Sequence, residues 1–124
     1  MEADRGEALV PNGVWKKVLK EGTSLFGDPN EWQHPEDGDE VLMHYMGKLE
    51  DGTVFDSSRE RGEPFKFTLG KKSVIAGWEI AARTMKKGEQ AILTLSPDYA
   101  YGSSGSPPKI PPNATLTFDL ELVS

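Results

Sequence analysis

The sequence predicts an α+β domain in which a twisted antiparallel sheet of about five strands wraps around one short helix. The helix is predicted within residues 72–88, where apolar side chains recur at the spacing of one helix face. Most other apolar segments are short and alternate with polar residues, as half-buried strands do. Turns rich in glycine, proline, asparagine and aspartate join them, which favours antiparallel pairing. A helix of about ten residues is too short to be stable alone in water, so it must pack against the sheet.

The predicted helix has one apolar face, made of Ile75, Trp78, Ala82 and Met85. Glu79, Arg83 and Lys86 are expected to point toward solvent. We expect Ser73 to cap the start of the helix and Gly88 to end it in a left-handed conformation. The Trp78 indole could then either fill the core or form the floor of a pocket.

The strands are predicted from residues that alternate between two faces. The clearest pattern lies at 115–122, where the inward-facing residues are Leu116, Phe118, Leu120 and Leu122. The segment 40–49 is fairly apolar on both faces, so we expect it to be a central strand. Shorter extended segments are predicted at 14–20, 54–56, 65–69 and 90–96.

The length of 124 residues allows one domain with a modest core. Residues 1–12 are polar, acidic and without periodicity, so we expect a flexible N-terminal segment followed by a domain at 13–124. Residues 1–40 contain four Lys/Arg and ten Asp/Glu, whereas residues 41–124 contain ten of each. No basic stripe dominates, which argues against nucleic-acid and anionic-membrane binding. No apolar run reaches the length of a membrane span.

The sequence lacks the motifs of hydrolytic and transfer enzymes. It has no cysteine, no glycine-rich phosphate loop, no nucleophile elbow and no paired zinc-binding histidines on a helix. Nothing around His34 or His44 has the spacing of metal ligands. We therefore expect a protein that requires no metal and no cofactor.

Aromatic side chains come instead from well-separated parts of the chain: Tyr45, Phe55, Phe65, Phe67, Trp78, Tyr99, Tyr101 and Phe118. Aromatic residues mostly fill cores, and each buried tyrosine hydroxyl would then need a partner. Several of these residues adjoin predicted loops, where they could line a pocket. Both interpretations stay open from composition and spacing alone.

Four linked stretches carry a more specific signal: 41–58 (VLMHYMGKLEDGTVFDSS), 64–78 (PFKFTLGKKSVIAGW), 96–102 (SPDYAYG) and 110–122 (IPPNATLTFDLEL). Together they closely resemble the FKBP family of peptidyl-prolyl cis–trans isomerases, the immunophilin receptors for tacrolimus and rapamycin. The loop 104–110 is most similar to the first isomerase domain of the large FKBP co-chaperones. The resemblance implies the same fold as the strand and helix patterns, a sheet wrapped around one short helix.

The resemblance also implies a binding pocket. By motif position, its residues are Tyr45, Phe55, Asp56, Arg61, Phe65, Val74, Ile75, Trp78, Tyr101, Ile110 and Phe118. Three of them are expected to be catalytic: Asp56, Phe118 and Tyr101, whose hydroxyl overhangs the pocket. Trp78 would form the floor, and the Ile75 backbone N–H would donate to a ligand carbonyl. Asp56 is expected at the rim, held by Tyr45 and Arg61.

The implied function is rotation of X–Pro bonds in peptides and proline-containing proteins, which would assist protein folding in the cytoplasm. Tacrolimus and rapamycin would bind in the same pocket as inhibitors, and the loop 103–112 could contact protein partners. Ser106 and Lys109 depart from the family pattern, which leaves the substrate and partner preference open. Two alternatives remain: a non-catalytic interaction domain of a larger co-chaperone, and a small-molecule carrier.

Overall fold

Seven antiparallel strands and a helix of about two turns form the fold in a computed structural model, which describes residues 6–21, 35–71, 74–106 and 109–123. The strands are β1 (Glu7–Val10), β2 (Val14–Lys20), β3 (Glu40–Leu49), β4 (Val54–Ser57), β5 (Phe65–Thr68), β6 (Gln90–Leu95) and β7 (Leu116–Leu122). The helices are the single turn α1 (Ser58–Arg61), α2 (Ala76–Ala82) and a 3₁₀ turn at Pro97–Tyr99. The predicted α+β fold, a twisted antiparallel sheet with a short helix, is confirmed.

The sheet is organised around β3, as the apolar character of both its faces predicts. The strand order is β1-β2-β6-β7-β3, and both β4 and β5 pair with the remaining edge of β3. Because β3 is ten residues long, β5 pairs with its first half and β4 with its second half. The sheet therefore has seven strands rather than about five. Three of its strands have only four residues each, too short for a strong alternating pattern.

The first strand lies where a flexible segment was predicted. Residues 7–10 form β1, which pairs antiparallel with β2 through a turn that holds Asn12 at a φ of 60°. The Gly13 N–H donates to the Val10 carbonyl at 3.0 Å and closes this turn. The strand is held by main-chain pairing, and Leu9 and Val10 pack against the core. Main-chain pairing leaves no periodic signal in the sequence, so the sequence pattern did not predict this strand.

The helix α2 is shorter than predicted. It spans seven residues and ends at Ala82, with Arg83 as its C-cap, rather than at Gly88. The N–H groups of Thr84 and Met85 turn back to carbonyls only three residues earlier, which tightens the chain out of the helix. Gly88 does have a positive φ of 84°, but it serves the turn before β6. The predicted N-cap, Ser73, lies outside the described residues.

Glu79 is buried, although the helical pattern predicts it on the solvent side. The Gly70 N–H donates to its Oε1 at 3.2 Å, and an Arg83 terminal nitrogen lies 3.8 Å from its Oε2. These partners satisfy a carboxylate that burial would otherwise destabilise. Glu79 thus ties the turn after β5 to α2.

The core lies between α2 and the sheet. All four predicted inward residues of β7 are buried, as are Trp78, Ala82 and Met85 on the helix. Gly77 permits the close approach of α2 to β6, since a Cβ there would lie only 2.2 Å from a Leu95 methyl carbon. This approach fixes the position of Trp78 relative to the sheet.

Candidate active site

A cavity of about 240 Å³ opens beside the start of α2. Nine residues line it: Tyr45, Phe55, Asp56, Phe65, Val74, Ile75, Trp78, Tyr101 and Phe118. They come from β3, β4, β5, β7, the start of α2 and the loop after the 3₁₀ turn. Residues distant in sequence meet here because β3 pairs with three of these strands at once. The structure therefore brings together nine of the eleven residues predicted for the pocket.

Trp78 lies at the centre of the aromatic contacts around this cavity. Its indole is only 5% exposed, and its ring centroid lies 4.9 Å from that of Tyr45 and 5.3 Å from that of Phe118. Phe65 adds a third edge-to-face contact at 5.9 Å. Such contacts favour one arrangement of the rings beyond what burial alone provides. The cavity thus has a pre-formed aromatic base.

Two aromatic residues at the cavity remain open to solvent. Phe65 is 37% exposed and Tyr101 is 39% exposed, which is high for residues of this size. The cavity is therefore apolar but accessible. An aliphatic ring that entered it would remove apolar surface from water on the protein as well as on the ligand.

Asp56 is held by three donors. The Tyr45 hydroxyl donates to its Oδ2, while Arg61 Nη1 and the Ser57 N–H donate to its Oδ1 at 2.5 Å and 2.9 Å. The second terminal nitrogen of Arg61 donates to the Tyr45 hydroxyl at 2.9 Å, and its guanidinium lies 5.6 Å from the centre of the Tyr45 ring. Arg61 does not line the cavity itself, but it orients two residues that do.

These contacts set the charge state of the site. Burial alone raises the pKa of Asp56, but the hydrogen bonds from Tyr45 and Arg61 and the guanidinium charge outweigh it, so the pKa lies below its ordinary value. The pKa of Tyr45 is raised by burial and by its hydrogen bond to Asp56. At neutral pH the site therefore holds an ionised carboxylate, already neutralised by Arg61, and a neutral phenol. A carboxylate with a lowered pKa is a poor proton acceptor.

Besides the buried Trp78 Nε1–H, which has no hydrogen-bond partner in the described part of the chain, two donors at the cavity are left for a ligand. Neither the Ile75 N–H nor the Tyr101 hydroxyl has a hydrogen-bond partner among the residues that the structure describes. The pKa of Tyr101 is raised by burial and by the charge of Asp56, which keeps its hydroxyl protonated. Both groups can therefore donate to carbonyl oxygens that a ligand brings.

Ser58 is a supporting residue that the sequence did not single out. Its buried Oγ accepts the Tyr45 N–H at 2.7 Å and lies 3.0 Å from His44 Nδ1. It thereby fixes the backbone of a residue that lines the cavity. The pair of serines after Asp56 is visible in the sequence, but only the fold reveals which of them faces β3.

Ile110, the other predicted pocket residue, does not line the cavity. It is buried in the core, and its N–H and C=O exchange hydrogen bonds with Ser106 at 3.0 Å and 2.8 Å. These bonds close the loop that follows Tyr101. Pro107 and Pro108 lie outside the described residues.

The described residues contain no cluster of three or more side chains that could hold a metal ion. Within those same ranges, none of the helices is long and apolar enough to cross a membrane.

Comparison with known proteins identifies the family. Residues 31–123 match the family model of the FKBP-type peptidyl-prolyl cis-trans isomerases. FK506-binding protein 59 of Drosophila melanogaster is 51% identical over 122 residues, which are 98% of this chain and 26% of that protein. Peptidyl-prolyl cis-trans isomerase FKBP4 of Homo sapiens is 54% identical over 110 residues, or 89% of this chain and 22% of that protein.

A smaller relative matches along most of its own length. Peptidyl-prolyl cis-trans isomerase Fkbp12 of Drosophila melanogaster is 57% identical over 90 residues, which are 73% of this chain and 83% of that protein. By contrast, the chain spans about a quarter of the length of the two larger relatives. Both the likeness to large FKBP proteins and the family resemblance are therefore confirmed, and the chain belongs to the FKBP-type peptidyl-prolyl cis-trans isomerase family.

Proposed function

We propose that this chain catalyses cis–trans isomerisation of X–Pro bonds, and that the proline ring binds in the cavity over Trp78. The observation that carries the proposal is an apolar, aromatic cavity with two donors at its edge that have no partner among the described residues. The chemistry fits because an X–Pro segment offers an aliphatic ring flanked by carbonyl oxygens. The names of the relatives, which are peptidyl-prolyl cis-trans isomerases, support the same reaction.

The mechanism needs no covalent step. Rotation about a peptide bond meets a barrier of roughly 18–20 kcal/mol, because twisting removes the amide resonance. The planar amide has more charge separation than the twisted one, so transfer into an apolar pocket favours the twisted state. A barrier lowered by about 5 kcal/mol corresponds to a rate increase of several thousandfold.

The named residues have separate roles in this mechanism. Trp78 supports the proline ring, and Phe118 and Phe55 enclose it. The Ile75 N–H and the Tyr101 hydroxyl hold the flanking carbonyls, so the bond rotates between fixed ends. Asp56 acts as a fixed charge at the rim, and no proton transfer is required.

We propose further that tacrolimus and rapamycin bind in the same cavity and inhibit the reaction. The support is the family resemblance together with the apolar lining and the same two donors. The broader roles, assistance to protein folding in the cytoplasm and contact with partners through the loop 103–112, extend the same proposal.

The test measures the rate of cis–trans exchange in a short Leu-Pro peptide by NMR exchange spectroscopy, with and without tacrolimus. We expect micromolar protein to accelerate exchange and stoichiometric tacrolimus to abolish the acceleration. A chain that binds the peptide without accelerating exchange is the non-catalytic interaction domain. A chain that neither binds nor accelerates contradicts the assignment of the cavity.

A further inference from the structure

A second cavity, of about 230 Å³, lies directly beside the first. Its lining residues are Val54, Phe55, Asp56, Ser57, Glu60, Arg61 and Lys109. Phe55 and Asp56 line both cavities, so these two residues lie between the first cavity and the second. A peptide residue next to a proline in the first cavity can reach the second, since each residue of an extended chain spans about 3.3–3.6 Å.

Ser57, which lines the second cavity, has a buried hydroxyl without a partner in the described part of the chain. Ser57 is only 3% exposed, and its Oγ has no hydrogen bond within the residues that the structure describes. Buried side-chain hydroxyls are nearly always hydrogen-bonded, because an unpaired one loses its contacts with water and gains nothing in return. A group that entered the cavity could supply the missing partner.

The lining of this cavity carries two cationic and two acidic side chains, and its cations keep unused donors. The Asp56 carboxylate is already occupied by Tyr45, Arg61 and its neighbouring N–H. Arg61 has further N–H donors beyond the two that it uses, and no ion pair of Lys109 is found among the described residues. Glu60 is the remaining acidic residue of the lining. The unoccupied groups thus favour a ligand rich in acceptor oxygens.

We propose that the second cavity is a specificity subsite for the substrate. It binds the carboxylate of an Asp or Glu that lies one or two residues from the substrate proline. This inference rests on the proposed function. Lys109 supplies the opposite charge, since the charge of Arg61 is balanced by Asp56. Arg61 contributes its unused N–H donors, and Ser57 contributes its hydroxyl as a donor to a carboxylate oxygen. The subsite selects among X–Pro sequences and takes no part in the rotation itself.

The experiment compares matched peptides that carry Glu or Gln at one position, scanned over the two residues on each side of proline. Exchange rates are measured by NMR for the wild type, Lys109→Gln and Lys20→Gln. Lys20 is an exposed lysine on β2, outside both cavities, so its variant makes the same change in net charge elsewhere. Low salt is used because it screens such interactions least.

At one position, we expect the wild type and Lys20→Gln to favour the Glu peptide over the Gln peptide by about two- to fivefold, the range of partly exposed ion pairs. Lys109→Gln should reduce this ratio toward one, and Ser57→Ala should lower it further. Equal rates for both peptides at every position overturn the proposal. So does a ratio that Lys109→Gln leaves unchanged, or one that Lys20→Gln reduces equally.

A failure of the isomerase proposal gives a different result, namely no acceleration with any peptide. In that case the subsite is tested by the changes in the backbone amide chemical shifts of Ser57 and Lys109 when each peptide is added. Larger shifts with the Glu peptide than with the Gln peptide support it, and equal shifts or none overturn it.

Discussion

Arg61 lies 2.5 Å from the Asp56 carboxylate across the rim of the cavity. The other terminal nitrogen of Arg61 donates a hydrogen bond of 2.9 Å to the Tyr45 hydroxyl. This hydroxyl in turn donates to Asp56. The three side chains thus form a closed ring of hydrogen bonds in which the charges cancel. A neutralised ring allows an ionised carboxylate to border an apolar pocket at a lower cost than a lone one.

The pH dependence of stability should report this ring. The pKa of Asp56 is lower in the folded chain than in the unfolded one, so its ionised form stabilises the fold above the unfolded pKa near 3.9. This stabilisation is lost as the pH falls through the folded pKa. We expect Asp56→Asn to be less stable than the wild type at pH 6, with a difference that shrinks as the pH falls below the unfolded pKa and through the lower folded pKa. Urea unfolding from pH 2 to pH 6 measures it, and a constant difference contradicts the prediction.

Removal of the indole should separate binding from folding. Trp78→Ala is expected to lose about 3–5 kcal/mol of unfolding free energy and to abolish measurable peptide binding. Met85→Ala is the matched control, because Met85 is fully buried but lines neither cavity. It should lose about 2–5 kcal/mol and retain peptide affinity in its folded fraction. Equal binding by the two folded variants, measured by NMR titration, would mean that Trp78 is only a core residue.

Two adjacent buried serines provide an internal comparison. Ser58 Oγ accepts the buried Tyr45 N–H at 2.7 Å, whereas Ser57 Oγ has no partner in the described part of the chain. Ser58→Ala would leave that N–H unsatisfied, so we expect a loss of about 1–3 kcal/mol. Ser57→Ala should leave the unfolding free energy unchanged or raise it, since no bond is lost and an unpaired buried hydroxyl is removed. Denaturant unfolding of both variants checks the order, and a larger loss for Ser57→Ala contradicts it.

A buried ion pair between Lys16 and Glu89 connects β2 to the segment before β6. Lys16 Nζ lies 2.8 Å from Glu89 Oε2 and also donates to the Thr84 carbonyl at 3.2 Å, and both charged side chains are more than nine-tenths buried. We expect Glu89→Ala to cost about 3–5 kcal/mol, because it leaves an uncompensated buried charge. The paired replacement Lys16→Met with Glu89→Leu should recover most of that loss.

The exposed pair of Lys66 and Glu40, at 3.4 Å, is the control for this prediction. Its removal by Glu40→Ala should cost no more than about 1 kcal/mol, because solvent screens it. Thermal unfolding of the wild type and the three variants gives the comparison. Similar losses at the buried and exposed pairs would show that burial does not govern the energetics of these charges.

The sequence predicts those features of the structure that neighbouring residues determine. It does not predict those that depend on contacts between separate elements. The alternation of β7 is a local pattern, and all of its inward residues proved to be buried. The cavity lining was predicted only through linked motifs, since no periodicity indicates that Phe55 and Trp78 meet. Glu79 could not be predicted correctly, because its burial depends on a donor from Gly70 on another element. The strand β1 was missed for the same reason, as main-chain pairing with β2 forms it.

The final prediction concerns the proposed mechanism. If rotation is favoured by desolvation and positioning, no group gains or loses a proton in the transition state. The lowered pKa of Asp56 and the raised pKa values of Tyr45 and Tyr101 keep all three groups in one charge state near neutrality. The rate should therefore be nearly constant between about pH 6 and pH 8, with a solvent deuterium effect close to one.

Tyr101→Phe should lower kcat/KM by at most about tenfold, since it removes one hydrogen bond of about 0.5–1.5 kcal/mol. Its unfolding free energy should stay unchanged, because the hydroxyl has no partner among the described residues. Exchange rates of one X–Pro peptide, measured across this pH range for the wild type, Tyr101→Phe and Asp56→Asn, provide the test. A bell-shaped profile that disappears in Asp56→Asn would make Asp56 a proton-transfer catalyst and exclude the mechanism proposed above.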